Sequence, residues 1–228
     1  MRIAEIFRSV QGEGLLTGTQ SVFVRASGCN LRCWYCDTPY ASWKPEGDDQ
    51  SVDDVVRQIL QHEPRHVVLT GGEPMLFAEL IPLCDRLRQL QYHITIETAG
   101  TLFLPLECDL MSISPKLSNS TPWHGVTDKW RQRHEQTRFA PDVIRRLSEH
   151  RDYQFKFVID KPEDLKEVDQ YLAEFPAVDR NRVWLMPQGI EAAGLADISA
   201  WLEPYCRQAQ LQFCPRMQVQ WYGLMRGT

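Results

Sequence analysis

The residues with the most chemistry in them stand close together: Cys29, Cys33 and Cys36, spaced C-x3-C-x2-C within Cys29-Asn30-Leu31-Arg32-Cys33-Trp34-Tyr35-Cys36. One tight loop at that spacing presents three thiolates to one metal centre. Structural zinc takes four protein ligands, and no fourth cysteine or histidine lies near enough in sequence to complete such a set. Fully ligated ferredoxin clusters likewise use four cysteines. Three thiolates therefore leave one iron of a 4Fe-4S cluster open to an outside ligand, which makes it a place for chemistry; a zinc loop closed by a distant ligand is the alternative. Cys84, Cys108, Cys206 and Cys214 are scattered and read as core or incidental positions.

Further polar groups stand where apolar runs stop. Val67-Val68-Leu69-Thr70-Gly71-Gly72-Glu73-Pro74 ends on two glycines, where a backbone without Cβ lets a ligand approach closely. Glu97-Thr98, Ser114-Pro115-Lys116 and Met186-Pro187-Gln188-Gly189 follow three other apolar runs. Lys156 alternates with large apolar residues in Gln154-Phe155-Lys156-Phe157-Val158, so it points toward a barrel interior or toward water. Glu5 to Gly14 reads as a glycine-bearing loop whose amide and carboxylate suit a polar heterocycle, or as a plain surface turn.

Positioning those groups on one face takes a repeated βα unit. Strands are expected at 21–26, 66–69, 93–96, 110–113, 153–159 and 182–185, and helices at 52–60, 78–89, 162–173 and 194–207, with Ser51 as an N-cap. Six strands fall short of a closed eight-stranded barrel, so the expected fold is α/β, an open or partial barrel in a single domain, with strand C-termini converging on one mouth. The stretch 117–138 is polar, without clean periodicity, and reads as a mobile loop near the site or as a plain surface insertion.

The 228 residues are 43% hydrophobic and 24% charged, a globular balance, and the net charge of -5 lacks the basic field of a nucleic-acid binder. No apolar run approaches a membrane span, and the first residues lack a signal peptide's apolar stretch, so a cytoplasmic protein is expected.

The C-x3-C-x-aromatic-C pattern, with Tyr35 as the aromatic, resembles the signature of the radical S-adenosylmethionine (SAM) superfamily. Phe7-x3-Gln11-Gly12-Glu13-Gly14, Phe23-Val24-Arg25, Asp37-Thr38, Thr70-Gly71-Gly72-Glu73-Pro74, Glu97-Thr98-Ala99-Gly100-Thr101, Ser114-Pro115-Lys116 and the Lys156 strand together resemble one family within it, the 7-carboxy-7-deazaguanine synthases. The likeness runs from about Phe7 to Gly189, whereas Trp221-Tyr222-Gly223 and Arg226-Gly227 match that family's tail only approximately.

The resemblance implies a partial (β/α)6 barrel and a lyase of the queuosine pathway that converts 6-carboxy-5,6,7,8-tetrahydropterin to 7-carboxy-7-deazaguanine with loss of ammonia. Its cofactors would be a 4Fe-4S cluster, SAM and magnesium, its form a homodimer, and its reductant an external flavodoxin-like donor. By the same resemblance Cys29, Cys33 and Cys36 bind the cluster and Thr38 gives an oxygen to magnesium. Tyr35, Asp37, Gly72, Glu73, Ser114, Pro115, Lys116 and Gln188 line SAM, while Val10, Gln11, Gly12, Arg25 and Thr70, partly on an N-terminal substrate loop at 1–20, hold the pterin. Glu13 either contacts the guanidine-like edge of the ring or is structural. A glycyl-radical activase would share the cysteine triad without the Gln11-Gly12-Glu13-Gly14 loop and Arg25.

Overall fold

The computed structural model describes residues 1–223 and 225–228. In chain order its strands are β1 (Arg2–Val10), β2 (Gln20–Ala26), β3 (Asp48–Asp49), β4 (His66–Gly71), β5 (His93–Thr98), β6 (Leu110–Ile113), β7 (Tyr153–Ile159), β8 (Val183–Pro187) and β9 (Gln212–Phe213). The helices are α1 (Pro39–Ser42), α2 (Val52–Ile59), α3 (Leu80–Gln89), α4 (Asp128–Thr137), α5 (Pro141–Leu147), α6 (Asp164–Ala173), α7 (Ala192–Ala209) and α8 (Met217–Tyr222). All strands join one sheet in the order β3-β1-β2-β4-β5-β6-β7-β8-β9. From β2 to β9 every neighbouring pair is parallel, and β1 runs antiparallel to both of its neighbours.

The six expected strands are the six long parallel ones. Their runs are legible because helices cover one face and the sheet's own concave side the other, so Val67, Leu69, Ile94, Ile96, Phe155 and Phe157 are all buried. The helix after β3 starts where Ser51 caps it, its Oγ accepting from the Asp54 N–H, and Val55, Val56 and Ile59 turn inward.

Two expectations need correction. The N-terminal loop at 1–20 is mostly strand β1; only the part from Gln11 to Thr19 is loop, closed by a Gln11 N–H to Thr19 carbonyl bond. A bulge between Ile3 and Glu5 interrupts the alternation of β1, which hides its strand period in the sequence. The stretch 117–138 is not an irregular loop: it forms a 3-10 turn, Ser118–Ser120, and helix α4. It is anchored by buried His134, whose Nδ1 accepts from the Arg32 backbone N–H at 3.1 Å and whose Nε2 bonds the Ser120 hydroxyl at 2.9 Å.

Candidate active site

The cysteine loop leaves β2 at the C-terminal mouth of the sheet. Gly72 is there because nothing larger fits: a Cβ on it would stand 2.2 Å from the Gly28 carbonyl oxygen and 2.5 Å from that of Ala41. That close approach lets the N–H groups of Gly72 and Glu73 donate to the carbonyls of Ala26 and Gly28, fastening the start of the loop to the end of β4. Asn30 donates to Thr101 at 3.0 Å, fastening it to the turn after β5.

Cys29, Cys33 and Cys36 are all free thiols and line one cavity with Tyr35, Asp37, Thr38, Gly72, Ser114, Lys116 and Gln188. Burial pushes the Cys29 and Cys33 thiols up to about 12, so thiolates there call for a metal to carry their charge. Among the described residues no three His, Cys, Asp or Glu side chains are grouped closely enough to hold a single ion. A cubane sets each thiolate on a different iron and needs no such convergence, so the three thiols fit a 4Fe-4S cluster. Ser42 lies 3.0 Å from the Cys36 sulfur and Thr38 3.7 Å from it.

Two residues expected at this cavity lie outside it. Glu73 is 0% exposed, and its carboxylate accepts from the Thr98 hydroxyl and from the Ala99 and Met75 N–H groups. It ties the strand ends together beneath the cavity wall. Pro115 is buried behind Ser114 and Lys116.

A second cavity adjoins the first and shares Glu13, Asp37, Thr38, Thr70, Gly71 and Glu97 with it. Val10, Gln11, Gly12, Arg25 and Thr70, expected to hold one ligand, all line this second cavity. Its wall includes the stacked rings of Phe7 and Phe23, 5.3 Å apart, with the Arg25 guanidinium 5.7 Å over the Phe7 ring. The Arg25 Nε donates to Glu5 at 2.7 Å, while its two terminal nitrogens bond no protein group among the described residues.

Beneath both cavities runs a charge network. Lys156, 3% exposed, lies 3.0 Å from Glu13 and 2.7 Å from Glu97, and Glu97 also accepts from Thr70 at 2.9 Å. Arg216 reaches Glu13, Asp37 and the Gly189 carbonyl, and Gln218 donates to Glu13. Burial alone would raise the Glu13 carboxyl, but Lys156 and Arg216 outweigh it and hold it at about 2. Burial disfavours the Lys156 ammonium, yet Glu97 and Glu13 overcome that and raise it above the ordinary lysine value. Glu13 thus spends its carboxylate on three protein donors, which favours its structural reading.

Arg216, Gln218 and Thr228, another residue lining the second cavity, carry no motif that points to the site. The one local hint is Gly12, where a Cβ would meet the Gln218 backbone nitrogen at 2.5 Å.

A parallel sheet with helices on its outer side and an open-sited cysteine triad at its mouth defines a radical SAM protein, and the Radical SAM superfamily model matches residues 23–171. A 7-carboxy-7-deazaguanine synthase of Rhodopirellula baltica is 45% identical over 227 residues, covering 99% of this chain and 88% of its own. One from Halobacterium salinarum is 41% identical, covering 95% of this chain and 88% of its own. The chain belongs to the 7-carboxy-7-deazaguanine synthase family. Among solved structures, QueE from Escherichia coli shares the fold at a TM-score of 0.65 and 24% identity, over 93% of this chain and 92% of that one.

Proposed function

We propose that this enzyme converts 6-carboxy-5,6,7,8-tetrahydropterin to 7-carboxy-7-deazaguanine and ammonia. The observation that carries the reading is the pair of cavities with a common wall, one lined by the three thiols and the other by Arg25 and the Phe7–Phe23 stack. When bound, the cluster and SAM supply a 5'-deoxyadenosyl radical, which removes and later returns a hydrogen atom.

The protein's own part is to hold the ring system against the shared wall. Arg25 is fixed by Glu5 through Nε alone, so its terminal fork is free for the pterin carboxylate, the geometry in which guanidinium binds best. The Phe7 and Phe23 rings give the heterocycle an apolar wall, and the Gln11–Gly12 backbone and the Thr70 hydroxyl oxygen offer hydrogen bonds at its edge. Lys156 keeps Glu97 in place between the cavities, and the Glu13–Arg216 pair closes the floor against water. Tyr35, Asp37, Gly72, Ser114, Lys116 and Gln188 hold SAM, and Glu73 positions that wall from behind. Thr38, on the shared wall, offers a hydroxyl to magnesium, a hard cation whose remaining positions stay open to substrate oxygens. Electrons come from an external donor.

Anaerobic incubation of the reconstituted protein with SAM, reductant, magnesium and the pterin, followed by mass spectrometry, tests this reading. The deazaguanine product is expected; SAM cleavage without it would discard the substrate and keep the superfamily.

A further inference from the structure

The inner side of the cysteine loop lines the cavity, and its outer side is covered by 118–134. The Trp34 backbone N–H donates to the Ser120 carbonyl at 3.2 Å and its ring Nε1 to the Asn119 carbonyl at 2.6 Å. The Arg32 guanidinium lies 4.0 Å over the Trp130 ring, with Arg133 on the same ring at 5.0 Å. Arg131 stacks at 5.6 Å on Trp123. The result is a set of cations and indoles on the outer side of the loop and on α4, with Trp34 48% and Trp123 65% exposed and Arg32 partly buried, its Nη1 on the Cys29 and Leu31 carbonyls.

This surface costs the protein something to keep. Lys129 and Arg133 are like charges one turn apart on α4. Between 121 and 134 the only acid is Asp128, which is taken up by Arg131 at 3.1 Å. Arg32, Lys129 and Arg133 have no carboxylate partner among the described residues, in a chain whose net charge is -5. Exposed tryptophan and arginine together are the composition of a protein-binding hot spot, and the unpaired cations select an acidic partner.

The position of the surface names the partner's task. Arg32 and Trp34 are the covalent neighbours of Cys33 on either side, so a protein seated here is one peptide unit from a cluster ligand. The opposite side of the loop is the cavity where the small ligands sit. We infer that Arg32, Trp34, Trp123 and α4 form the docking surface for an acidic one-electron carrier protein, an inference that rests on the radical SAM reading of the cysteine triad. One electron leaves the carrier and one enters the cluster, and no bond is made or broken.

The test uses reconstituted holoenzyme and a purified bacterial flavodoxin, an acidic flavoprotein, as the probe. In the Lys129→Glu/Arg133→Glu variant the Kd for oxidised flavodoxin, measured by calorimetry without turnover, is expected to rise at least about tenfold at low salt. Added salt should weaken wild-type binding far more than the variant's. SAM cleavage driven by reduced flavodoxin should fall by a similar factor, while cleavage driven by dithionite stays at the wild-type rate. Trp123→Ala, which leaves the charges in place, should weaken binding severalfold. An unchanged Kd in both variants overturns the docking surface, and so does wild-type protein that binds an oligoribonucleotide there and no flavodoxin. Absence of dithionite-driven SAM cleavage in wild-type protein with an intact cluster would instead overturn the radical SAM reading, since the Kd does not depend on it.

Discussion

The two cavities at the mouth of the sheet are held in opposite ways. The thiol cavity is walled largely by backbone: the Gly72 and Glu73 N–H groups on Ala26 and Gly28, and the Trp43 ring N–H on the Cys33 carbonyl. Besides Lys116, its charged lining (Glu13, Glu97, Lys156 and the Arg216–Asp37 pair) belongs to the network on the side it shares with its neighbour. The neighbouring cavity is held by ions from distant parts of the chain, with Glu13 meeting Lys156 and Arg216, and Arg25 meeting Glu5, which also takes Arg226. A wall of backbone bonds tolerates the loss of one side chain locally. A buried ion network does not, because each ion removed strands its partners.

Cys33→Ala should give the largest effect, and a local one: no brown cluster absorbance and 5'-deoxyadenosine formation at background, with pterin affinity by calorimetry within about twofold of wild type. Loss of pterin binding as well would break the separation of the two cavities. Lys156→Met should act across the fold, leaving Glu97 without a cation and Glu13 with Arg216 as its one remaining cation. About 3–5 kcal/mol of stability should be lost, seen as a lower Tm, and product formation should drop more than about a hundredfold in protein that still carries a cluster. An unchanged Tm would show that the network is not needed to hold the fold.

Arg25→Lys keeps the charge and loses the fork, so KM for the pterin should rise by about ten- to a hundredfold while the affinity for SAM is unchanged. Thr38→Ala should reduce the stimulation by magnesium severalfold and leave the cluster spectrum intact; a wild-type magnesium response would remove that hydroxyl as a ligand.

The smallest effect separates the regions by pH. Desolvation lowers His134 from its ordinary 6.5 to about 4, so the unfolded chain takes up the proton first and stability is lost as pH falls from 6.5 toward 4. Glu13 is held at about 2, below its ordinary 4.5, so its contribution is full above 4.5 and is lost only toward pH 2. Lys156 is raised, so its contribution is full below its ordinary 10.5. Moving from pH 7 to 5 should therefore lower Tm through the His134 buttress of the cysteine loop and not through the ion network. In His134→Gln the slope of Tm between these values should shrink; an unchanged slope would place the titrating group elsewhere.

How far the sequence could be read follows from the same contrast. The cysteine triad and the Gly71-Gly72 turn act on neighbours a few residues away or across adjacent parallel strands, so spacing alone displays them. Arg216 and Gln218 meet Glu13 across 203 and 205 residues, and neither sits in a pattern that announces a partner. Lys156 stood out because it interrupts an apolar strand. Glu73 shows the reverse error: a carboxylate in a ligand-binding motif whose partners are all the protein's own. Helix α4 was hidden because only His134 of its side chains is buried, leaving almost no apolar stripe to give it a period.

The pairing of Glu13, on the wall between the cavities, with Arg216 and Gln218 also has a consequence in time. During synthesis the cysteine loop, β4 and β5 leave the ribosome more than a hundred residues before Arg216 and Gln218. Until Arg216 and Gln218 are made, Glu13 has at most Lys156 to pair with, and the floor it shares with Arg216 does not exist. The cysteine loop and the strand ends that fasten it thus take shape on a partial chain, and the ion network between the cavities only once residues 216–218 are made, at the slow pace that such distant contacts impose.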